Sequence, residues 1–516
     1  MSIFAPFILL CHYTLVLILC VYGAHRSYYA FSSQRRETAN KKINHAESSL
    51  QENSQLSTDS LPVVTVQAPI FNEQFVVERL IHALAALEYP ADRLQIQIVD
   101  DSNDETVEIA SRCIAFHRAR GINIEHVRRP SRGGYKAGAL EAALETSVGE
   151  YIAVFDADFI PEPQFLLHTI PAFKDPEVGM VQTRWHHLNA NSNVLTRVQA
   201  ILLDAHFAIE QYMRAETGAY FNFNGTAGVW RRETIIDAGG WRADTLTEDL
   251  DLSYRAQMKG WRFEYLHNVG CPSELPVDMG AFKSQQHRWA KGAIEVMKKM
   301  LLSIWKSSAP LHVKTEATFH LTGNITYLLM LIDSLFFLIP SIHIRETANW
   351  GSLMWIDIPL FLLASVSHAY FFLSGQKILY GRLRDKLAIL PVLLATSIGL
   401  GVNNGRAVIE AIVGHATGFV RTPKTGDMTG SAITTSNRVE AVGSDNQTIP
   451  VKGYKVVSAQ WAYRLEILLA LAYFGDVLWA GSRGYFIVVP FLMLFAFGFM
   501  FTGVLSMKAH HAKASN

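Results

Sequence analysis

Two pairs of aspartates stand where they could hold a metal ion. Asp156 and Asp158 directly follow a hydrophobic run and are separated by one residue. Because alternate side chains of an extended chain point to the same side, both carboxylates can face one cation. Mg²⁺ or Mn²⁺ prefers such oxygen ligands and bridges them to substrate phosphates. Asp100 and Asp101 end another hydrophobic run, although either pair is also what an ordinary solvated turn contains.

The motif Thr247-Glu248-Asp249 allows two interpretations. On its own it is typical of a helix N-terminus, with Thr247 as the capping residue and acidic residues in the first turn. This structural interpretation is the better one unless a partner segment exists elsewhere in the chain.

Such a segment is Gln285–Trp289, with the sequence Gln-Gln-His-Arg-Trp. Arg288 can neutralise a diphosphate through two parallel hydrogen bonds. Trp289 offers an apolar face on which a sugar ring can stack. The alternative is a basic amphipathic helix lying on a membrane surface, which the nearby Lys298 and Lys299 favour.

A glycine-rich segment, Arg132–Gly138, does not satisfy the P-loop pattern. A helix is predicted to begin near Lys136, so this cation and the first backbone N–H groups could bind an anion. A plain glycine turn before a helix is an equal alternative.

These residues need a scaffold, and the surrounding chain predicts one. β-rich runs alternate with helical patterns; the runs are 63–68, 95–99 and 151–155, and the helical patterns are 74–87, 104–120 and 136–146. Alternation of this kind predicts an α/β domain with a mostly parallel sheet and helices on both faces. Ligands of such sheets bind at the carboxyl ends of the strands, where the acidic residues lie.

The composition points to a membrane protein with a soluble part. Of 516 residues, 49 % are hydrophobic and 18 % are charged, which is too apolar for a soluble enzyme. Lys plus Arg and Asp plus Glu both number 46, and this zero net charge excludes a general nucleic-acid binder. Four cysteines cannot form a disulfide framework.

Apolar runs at 3–22, 318–342, 352–374, 387–402, 465–480 and 484–507 are the candidate membrane segments. The run 387–402 is short and is expected to be interfacial or re-entrant, which leaves five spans. Lys and Arg residues flanking the spans predict a cytosolic α/β domain. The expected divisions are a first membrane helix (1–25), a polar linker (26–61), the α/β domain (62–310), a membrane hairpin with interfacial helices (311–418), a cytosolic loop (419–460) and a last hairpin with a tail (461–516).

Taken in order, the D-D, D-x-D, T-E-D and Q-x-x-R-W motifs resemble the signature of glycosyltransferase family 2, in its membrane-embedded cellulose synthase-like branch. The stretches VFDADF, QTRW, FNFNGTAGVWR, GGW, ELP and QQHRW are most similar to the cellulose-synthase-like A group. The resemblance implies a GT-A-like, Rossmann-type domain that transfers a hexose with inversion from UDP-glucose or GDP-mannose to a growing β-linked glycan.

The resemblance also implies a role for individual residues. Asp249 would be the general base, and Asp156 and Asp158 would hold Mg²⁺ or Mn²⁺. The nucleotide sugar would contact Ala68, Glu73, Asp100, Asp101, Lys136, Asp156, Gln285, Arg288, Thr422 and Lys424. The acceptor would contact Asn224, Gly225, Thr226 and Trp289.

The segment Phe419–Lys424 resembles the gating loop of cellulose synthase, with a juxtamembrane basic turn as the alternative. The implied partners are a nucleotide-sugar donor, a glycan or lipid acceptor and membrane lipid, with no nucleic acid. The implied location is a cell inner membrane or a Golgi-type membrane. Two other functions stay open: a non-processive lipid glycosyltransferase of the monoglucosyldiacylglycerol synthase type, and a transporter or receptor that only binds nucleotide.

Overall fold

The computed structural model describes residues 4–47, 61–348, 350–381, 383–415, 424, 426 and 460–514. Its strands are β1 (Val64–Ile70), β2 (Leu94–Asp100), β3 (Ile124–Arg128), β4 (Tyr151–Val154), β5 (Val178–His187), β6 (Gly228–Arg231) and β7 (Arg262–Ser273). The helices of the same region are α2 (Val77–Ala85), α3 (Thr106–Arg118), α4 (Tyr135–Glu145), α5 (Phe165–Thr169), α6 (Val194–Ala205), α7 (Tyr212–Glu216), α8 (Arg232–Asp237), α9 (Glu248–Met258) and α10 (Met279–Lys306).

The remaining helices are apolar for the most part. They are α1 (Phe4–Glu47), α11 (Leu311–Thr322), α12 (Ile325–Ile332), α13 (Leu338–Thr347), α14 (Met354–Tyr380), α15 (Arg384–Leu387), α16 (Leu390–Gly399), α17 (Gly401–Val413), α18 (Gln460–Ser482) and α19 (Val489–Ala514). Single π-helical turns join α6 to α7 and α12 to α13. Short 3₁₀ turns occur at Ala91–Arg93, Ile170–Lys174 and Gly351–Leu353.

Seven strands form one sheet in the order β3-β2-β1-β4-β6-β5-β7. Every neighbouring pair is parallel except the two pairs that involve β6. All seven residues of β2 are buried, as expected for a parallel strand covered on both faces. The predicted α/β fold with a mostly parallel sheet is therefore confirmed.

Two hydrophobic cores, one on each face of the sheet, fix the helices. Strand β4 shows the alternation: Ala153 packs into the core that contains α2 and α3, whereas Ile152 and Val154 pack into the core that contains α4, α8 and α9. The chain leaves β1 toward β2 and returns to β4 on the other side of β1. The carboxyl ends of β1 and β4 thus flank the point where the strand order reverses, which is where open α/β sheets bind ligands.

Within the described part of the chain, six helical segments are long and apolar enough to cross a membrane; they are Phe4–Thr38, Ile325–Thr347, Trp355–Tyr380, Leu390–Val413, Gln460–Ser482 and Val489–His511. All six predicted apolar runs lie within or overlap these segments. The fourth segment differs from the others because 61 % of its most apolar window is buried inside the protein.

Contacts with the α/β domain are made on both sides of the fourth segment, Leu390–Val413. Tyr380, at the end of α14, donates a hydrogen bond to Asp204 of α6 at 3.3 Å. At the other end, Lys298 of α10 donates to the carbonyl oxygen of Ala411 at 2.8 Å. Helices α6 and α10 directly follow sheet strands β5 and β7. The α/β domain is thus contacted by Tyr380, before the segment, and by Ala411 near its end. The interfacial or re-entrant arrangement of this segment stays a prediction.

The polar linker predicted for 26–61 is wrong in its first part, because α1 continues through it to Glu47. The helix has 44 residues, or about 66 Å, twice the thickness of a hydrocarbon core. Its second half packs against the α/β domain: Ser33 donates to the carbonyl oxygen of Ala208 at 3.1 Å, and Arg36 pairs with Glu216 at 3.4 Å. The change to polar composition therefore does not mark the end of the helix.

Candidate active site

A cleft opens at the carboxyl ends of β1 and β4 and is closed on its far side by α9 and α10. Twelve of the predicted site residues line it; they are Glu73, Asp101, Lys136, Asp156, Asp158, Asn224, Gly225, Asp249, Gln285, Arg288, Trp289 and Lys424. Segments far apart in sequence thus meet as the motifs suggested.

Three predicted site residues do not line the cleft. Ala68 is fully buried inside β1. Asp100 is 1 % exposed, and its two oxygens accept hydrogen bonds from the Ser102 amide at 2.7 Å and pair with His126 at 2.8 Å. Thr226 is fully buried. The structure gives Asp100 and Ala68 a place behind the cleft, and Thr422 lies outside the described residues.

Aromatic and cationic side chains form the β1 side of the cleft. The guanidinium of Arg132 lies 3.4 Å from the ring centroid of Phe71 and 4.9 Å from that of Tyr135. Asp101 is held by Arg129 through two hydrogen bonds of 3.0 and 2.5 Å. A flat, cationic surface of this kind suits a nucleobase or ribose. Neither Phe71 nor Tyr135 is among the predicted site residues, although each lies within two positions of one, Glu73 and Lys136 respectively.

Backbone strain marks the same region. Among the described residues, Asn72, Tyr135 and Ala227 are the non-glycine residues with positive φ, at 55°, 50° and 53°. Asn72 and Tyr135 flank the aromatic side of the cleft, and Ala227 follows the Gly225 turn. Strained residues of this type persist where surrounding structure holds a functional geometry.

Lys136 and Asp156 form an ion pair in the floor of the cleft. The Lys136 ammonium lies 2.5 Å from Asp156 Oδ1 and donates to the Gly225 carbonyl oxygen at 2.7 Å. Burial would lower the pKa of Lys136, but Asp156 and then Glu248 outweigh burial and raise it. The backbone amide of Asp156 donates to Thr226 Oγ1 at 2.8 Å. Thr226 therefore acts by positioning Asp156.

Asp158 and Glu274 lie together at the opposite end of the floor. The Lys424 ammonium is 2.6 Å from Asp158 Oδ2, and the Glu274 amide donates to the same oxygen at 3.3 Å. Glu274 pairs with Arg79 at 2.7 Å. Cations thus lie against both carboxylates of the D-x-D motif. Glu274 was not among the predicted site residues, although the ELP stretch contains it.

Asp249 occupies the first turn of α9, facing the Gly225 turn. A Cβ on Gly225, whose φ is +82°, would lie 2.9 Å from Asp249 Oδ2, so only glycine fits this approach. Burial, and next the Glu248 carboxylate, raise the pKa of Asp249 to about 7 against the opposing charges of Lys136 and Arg288. A carboxyl group with this pKa can exchange a proton near neutral pH.

Thr247 does not cap α9 as its position predicted. It stands at the N-cap position, but its side chain makes no cap hydrogen bond. It packs instead against α10, where a Cβ on Gly292 would lie 2.5 Å from Thr247 Cγ2. Contact between α9 and α10 has overridden the local capping preference.

The segment Gln285–Trp289 lies in the N-terminal half of α10, whose N-terminus is capped by Asp278 accepting from the Ala281 amide at 2.9 Å. Trp289 faces Trp185 with their ring centroids 6.5 Å apart. The two indoles form an aromatic wall. Trp185 is not among the predicted site residues, although the QTRW stretch contains it.

Three lysines of α10 bind protein groups. Lys283 pairs with Glu466 of α18 at 2.6 Å. Lys299 pairs with Asp251 at 2.6 Å. Lys298 donates to carbonyl oxygens at the end of α17, as described above. The alternative of a basic helix lying on the membrane is therefore not supported by these side chains, because they are already bound.

A second cavity, of about 550 Å³, extends from the cleft into the membrane helices. The two spaces share lining residues, namely Trp185, Leu203, Asn224, Thr247, Asp249, Gln285 and Trp289. This second cavity is lined by ionisable pairs: His12–Asp333 and Arg345–Asp357 lie among the apolar helices, and Arg26–Glu210 joins α1 to the turn between α6 and α7. Charged groups are costly in lipid and are found in membrane helices where they face a polar path.

Comparison with known proteins identifies relatives of this chain. Residues 62–292 match the family model described as glycosyltransferase like family 2. Glucomannan 4-beta-mannosyltransferase 1 of Oryza sativa subsp. japonica is 37 % identical over 381 residues, covering 70 % of this chain and 71 % of the relative. Glucomannan 4-beta-mannosyltransferase 2 of Arabidopsis thaliana is 44 % identical over 261 residues, and this match spans 49 % of each chain.

Among solved structures, the mannosyltransferase PcManGT from Pyrobaculum calidifontis, in complex with GDP-Man and Mn²⁺, is 20 % identical with a TM-score of 0.45. The match covers 69 % of this chain and 99 % of that one.

Proposed function

The chain belongs to glycosyltransferase family 2, with relatives among the cellulose synthase-like A enzymes, and we propose that it extends a β-linked glycan from a nucleotide-activated mannose or glucose. The relatives' names favour mannose as the transferred sugar and a β-4-linked product. The observation that carries the proposal is the continuity of the two cavities. Asp249 and Trp289 lie where the cleft meets the space between the membrane helices.

The donor would bind along the cleft from the aromatic side to α10. Phe71 and Arg132 suit the nucleobase and ribose, because they offer a flat apolar ring and a cation. Arg288 lines the same cleft and suits the diphosphate, because guanidinium binds phosphate oxygens in pairs.

The residues at the D-x-D motif fit a divalent cation. Asp156 and Asp158 supply only oxygen donors, the set that suits Mg²⁺ and Mn²⁺. Both carboxylates lie against ammonium groups, Lys136 and Lys424, so the site already accommodates positive charge. When bound, the metal would stabilise the charge that develops on the leaving diphosphate.

Transfer needs a base at the acceptor, and Asp249 is the proposed one. The acceptor hydroxyl oxygen would bond to the anomeric carbon of the donor as the bond from that carbon to the diphosphate oxygen breaks. The hydroxyl proton passes to the Asp249 carboxylate, and the nucleoside diphosphate leaves. Attack opposite the leaving group inverts an α-linked donor to a β-linked product.

The acceptor would enter from the membrane side. Trp289 and Trp185 provide ring faces for the terminal sugar, and Asn224 lies beside them in both cavities. The Asn224 side chain is oriented by Gln211, which donates to its Oδ1 at 2.7 Å. A cavity that continues between membrane helices offers a path for the lengthening chain. The α/β domain is proposed to be cytosolic, and the protein is proposed to be anchored in a cell inner membrane or a Golgi-type membrane.

The proposal is tested with the full chain in lipid nanodiscs. Radiolabelled GDP-mannose and UDP-glucose are supplied separately, and lipid-extractable product is separated from polymer. We expect label in polymer that endo-β-mannanase digests. Asp249→Asn should reduce transfer by about 10²–10⁴-fold, whereas Asp237→Asn, a surface change far from the cleft, should not.

A product consisting of one sugar on a lipid would favour the lipid glycosyltransferase instead. If the wild-type protein binds nucleotide but transfers sugar from none of the donors supplied, a transporter or receptor that only binds nucleotide would be favoured.

A further inference from the structure

A group of metal-ligating side chains lies on the outer surface of α2 and α3, on the helix layer away from the cleft. Glu78 and His82 are four residues apart on α2, and Cys113 and His117 are four residues apart on α3. Residues at this spacing share one face of a helix. Because α2 and α3 pack side by side, the two pairs meet.

The distances within this group are short. One ligand atom from each of Glu78, His82 and Cys113 lies within 4.8 Å of the others, the one group of this kind found among the described residues. His82 Nδ1 lies 2.8 Å from His117 Nε2, and His82 Nε2 lies 3.8 Å from Glu78 Oε1. Ligands of a tetrahedral Zn²⁺ ion are about 3.3–3.8 Å apart, from bond lengths of about 2.0–2.3 Å.

We propose that Glu78, His82 and Cys113 form a second metal site, which takes a borderline-soft dication such as Zn²⁺. His82 uses one ring nitrogen for the metal, and its other nitrogen is held by His117. Such a partner fixes the ring and its tautomer. Solvent completes the coordination.

The chemistry of this site differs from that of the D-x-D carboxylates. Thiolate and imidazole favour Zn²⁺, whereas an all-oxygen set favours Mg²⁺ or Mn²⁺. Glu78 and His82 are exposed, so an ion can enter from solvent. Cys113 is only 8 % exposed, which places the sulfur under the two exposed ligands. Binding displaces the thiol proton to solvent.

The site's place in the fold gives it a structural role. Helix α2 follows the turn that carries Glu73, and α3 follows the segment that carries Asp101; both residues line the donor cleft. A metal that joins α2 to α3 therefore stiffens the two elements that lead out of the nucleotide side.

The test uses the full chain in detergent, stripped with EDTA and then titrated with Co²⁺. A cobalt–thiolate site gives a near-ultraviolet charge-transfer band, which an all-oxygen site does not give. We expect the band in wild type and in Asp158→Ala, and we expect its loss in Cys113→Ser. Cys11→Ser, in α1, is the matched control and should keep it.

Zinc content after dialysis gives a second measurement. It should fall from about one equivalent to near zero in His82→Ala, while His168→Ala, an exposed histidine of α5, keeps the full amount. Removing the partner in His117→Ala should weaken zinc binding about 10–100-fold. A wild type without the band, or equal zinc in wild type and His82→Ala, would overturn the proposal whatever the outcome of the transfer assays.

Discussion

The raised pKa of Asp249 predicts that transfer depends steeply on pH near neutrality. A general base acts when deprotonated, so activity should be present above the pKa and lost as the pH falls through it. With a pKa of about 7, roughly 9 % of the carboxyl is ionised at pH 6 and roughly 91 % at pH 8, so kcat/KM should rise about tenfold. Release of the nucleoside diphosphate, followed at a series of pH values, measures this limb.

Glu248→Gln should shift the acidic limb of the pH–activity profile. The Glu248 carboxylate is the second-largest cause of the shift after burial. Neutralising it should lower the pKa of Asp249 and move the activity limb to lower pH. Glu233→Gln, an exposed change in the first turn of α8, should leave it in place. A wild-type profile that is flat from pH 6 to pH 8 would refute the argument, because a carboxyl with the ordinary pKa of 3.8 is fully ionised throughout that range.

The same shift predicts an opposite effect on stability. Because the folded state raises the pKa of Asp249, it favours the protonated form, and the protein loses stability as the pH rises from about 4 to about 7. A shift from 3.8 to about 7 corresponds to a cost on the order of 4 kcal/mol at pH 8 and about 2 kcal/mol at pH 5. Asp249→Asn removes the cost, so its melting temperature should exceed that of wild type more at pH 8 than at pH 5. An equal difference at both pH values would contradict the assigned pKa.

Three further outcomes are expected from the cleft. Excess EDTA should abolish transfer, Mn²⁺ or Mg²⁺ should restore it, and Asp158→Ala should lower transfer about a hundredfold or more, which metal titration of the rates measures. Trp289→Ala should raise the acceptor KM about tenfold, a loss of roughly 1.4 kcal/mol, while hydrolysis of the donor by water is retained. Arg132→Gln should raise the donor KM with little change in kcat, because the contact is made equally in ground and transition states.

The fold was predictable because β-rich runs and helical patterns alternate clearly along the sequence. The strand run that ends before Asp156 and the helix that begins near Lys136 both lie where the pattern placed them. The location of the motifs followed from one rule, that parallel strands end at the same edge. The linker could not be distinguished from helix in this way, because most residues from Gln34 to Glu47 are polar helix formers and polarity alone does not end a helix.

The motifs could not predict which individual side chains face the cleft. Adjacent residues of an extended chain point in opposite directions, so Asp100 turns to His126 while Asp101 faces the cleft. The D-D motif includes both residues and does not indicate which of them lines the cleft. Trp185 reaches the cleft only because β5 runs beside β7, a long-range pairing that no local pattern records.

Helix α10 connects the candidate active-site cleft to the apolar helices. One face of α10 carries Arg288 and Trp289 to the cleft, and another face carries Lys283 to Glu466 of α18. The side chains of this ion pair are 6 % and 0 % exposed. Removing one partner of such a pair leaves a buried charge and costs about 3–5 kcal/mol. The geometry of the cleft is therefore set partly from within the membrane region, so the two halves of the chain share one structural element at the point where sugar transfer is proposed to occur.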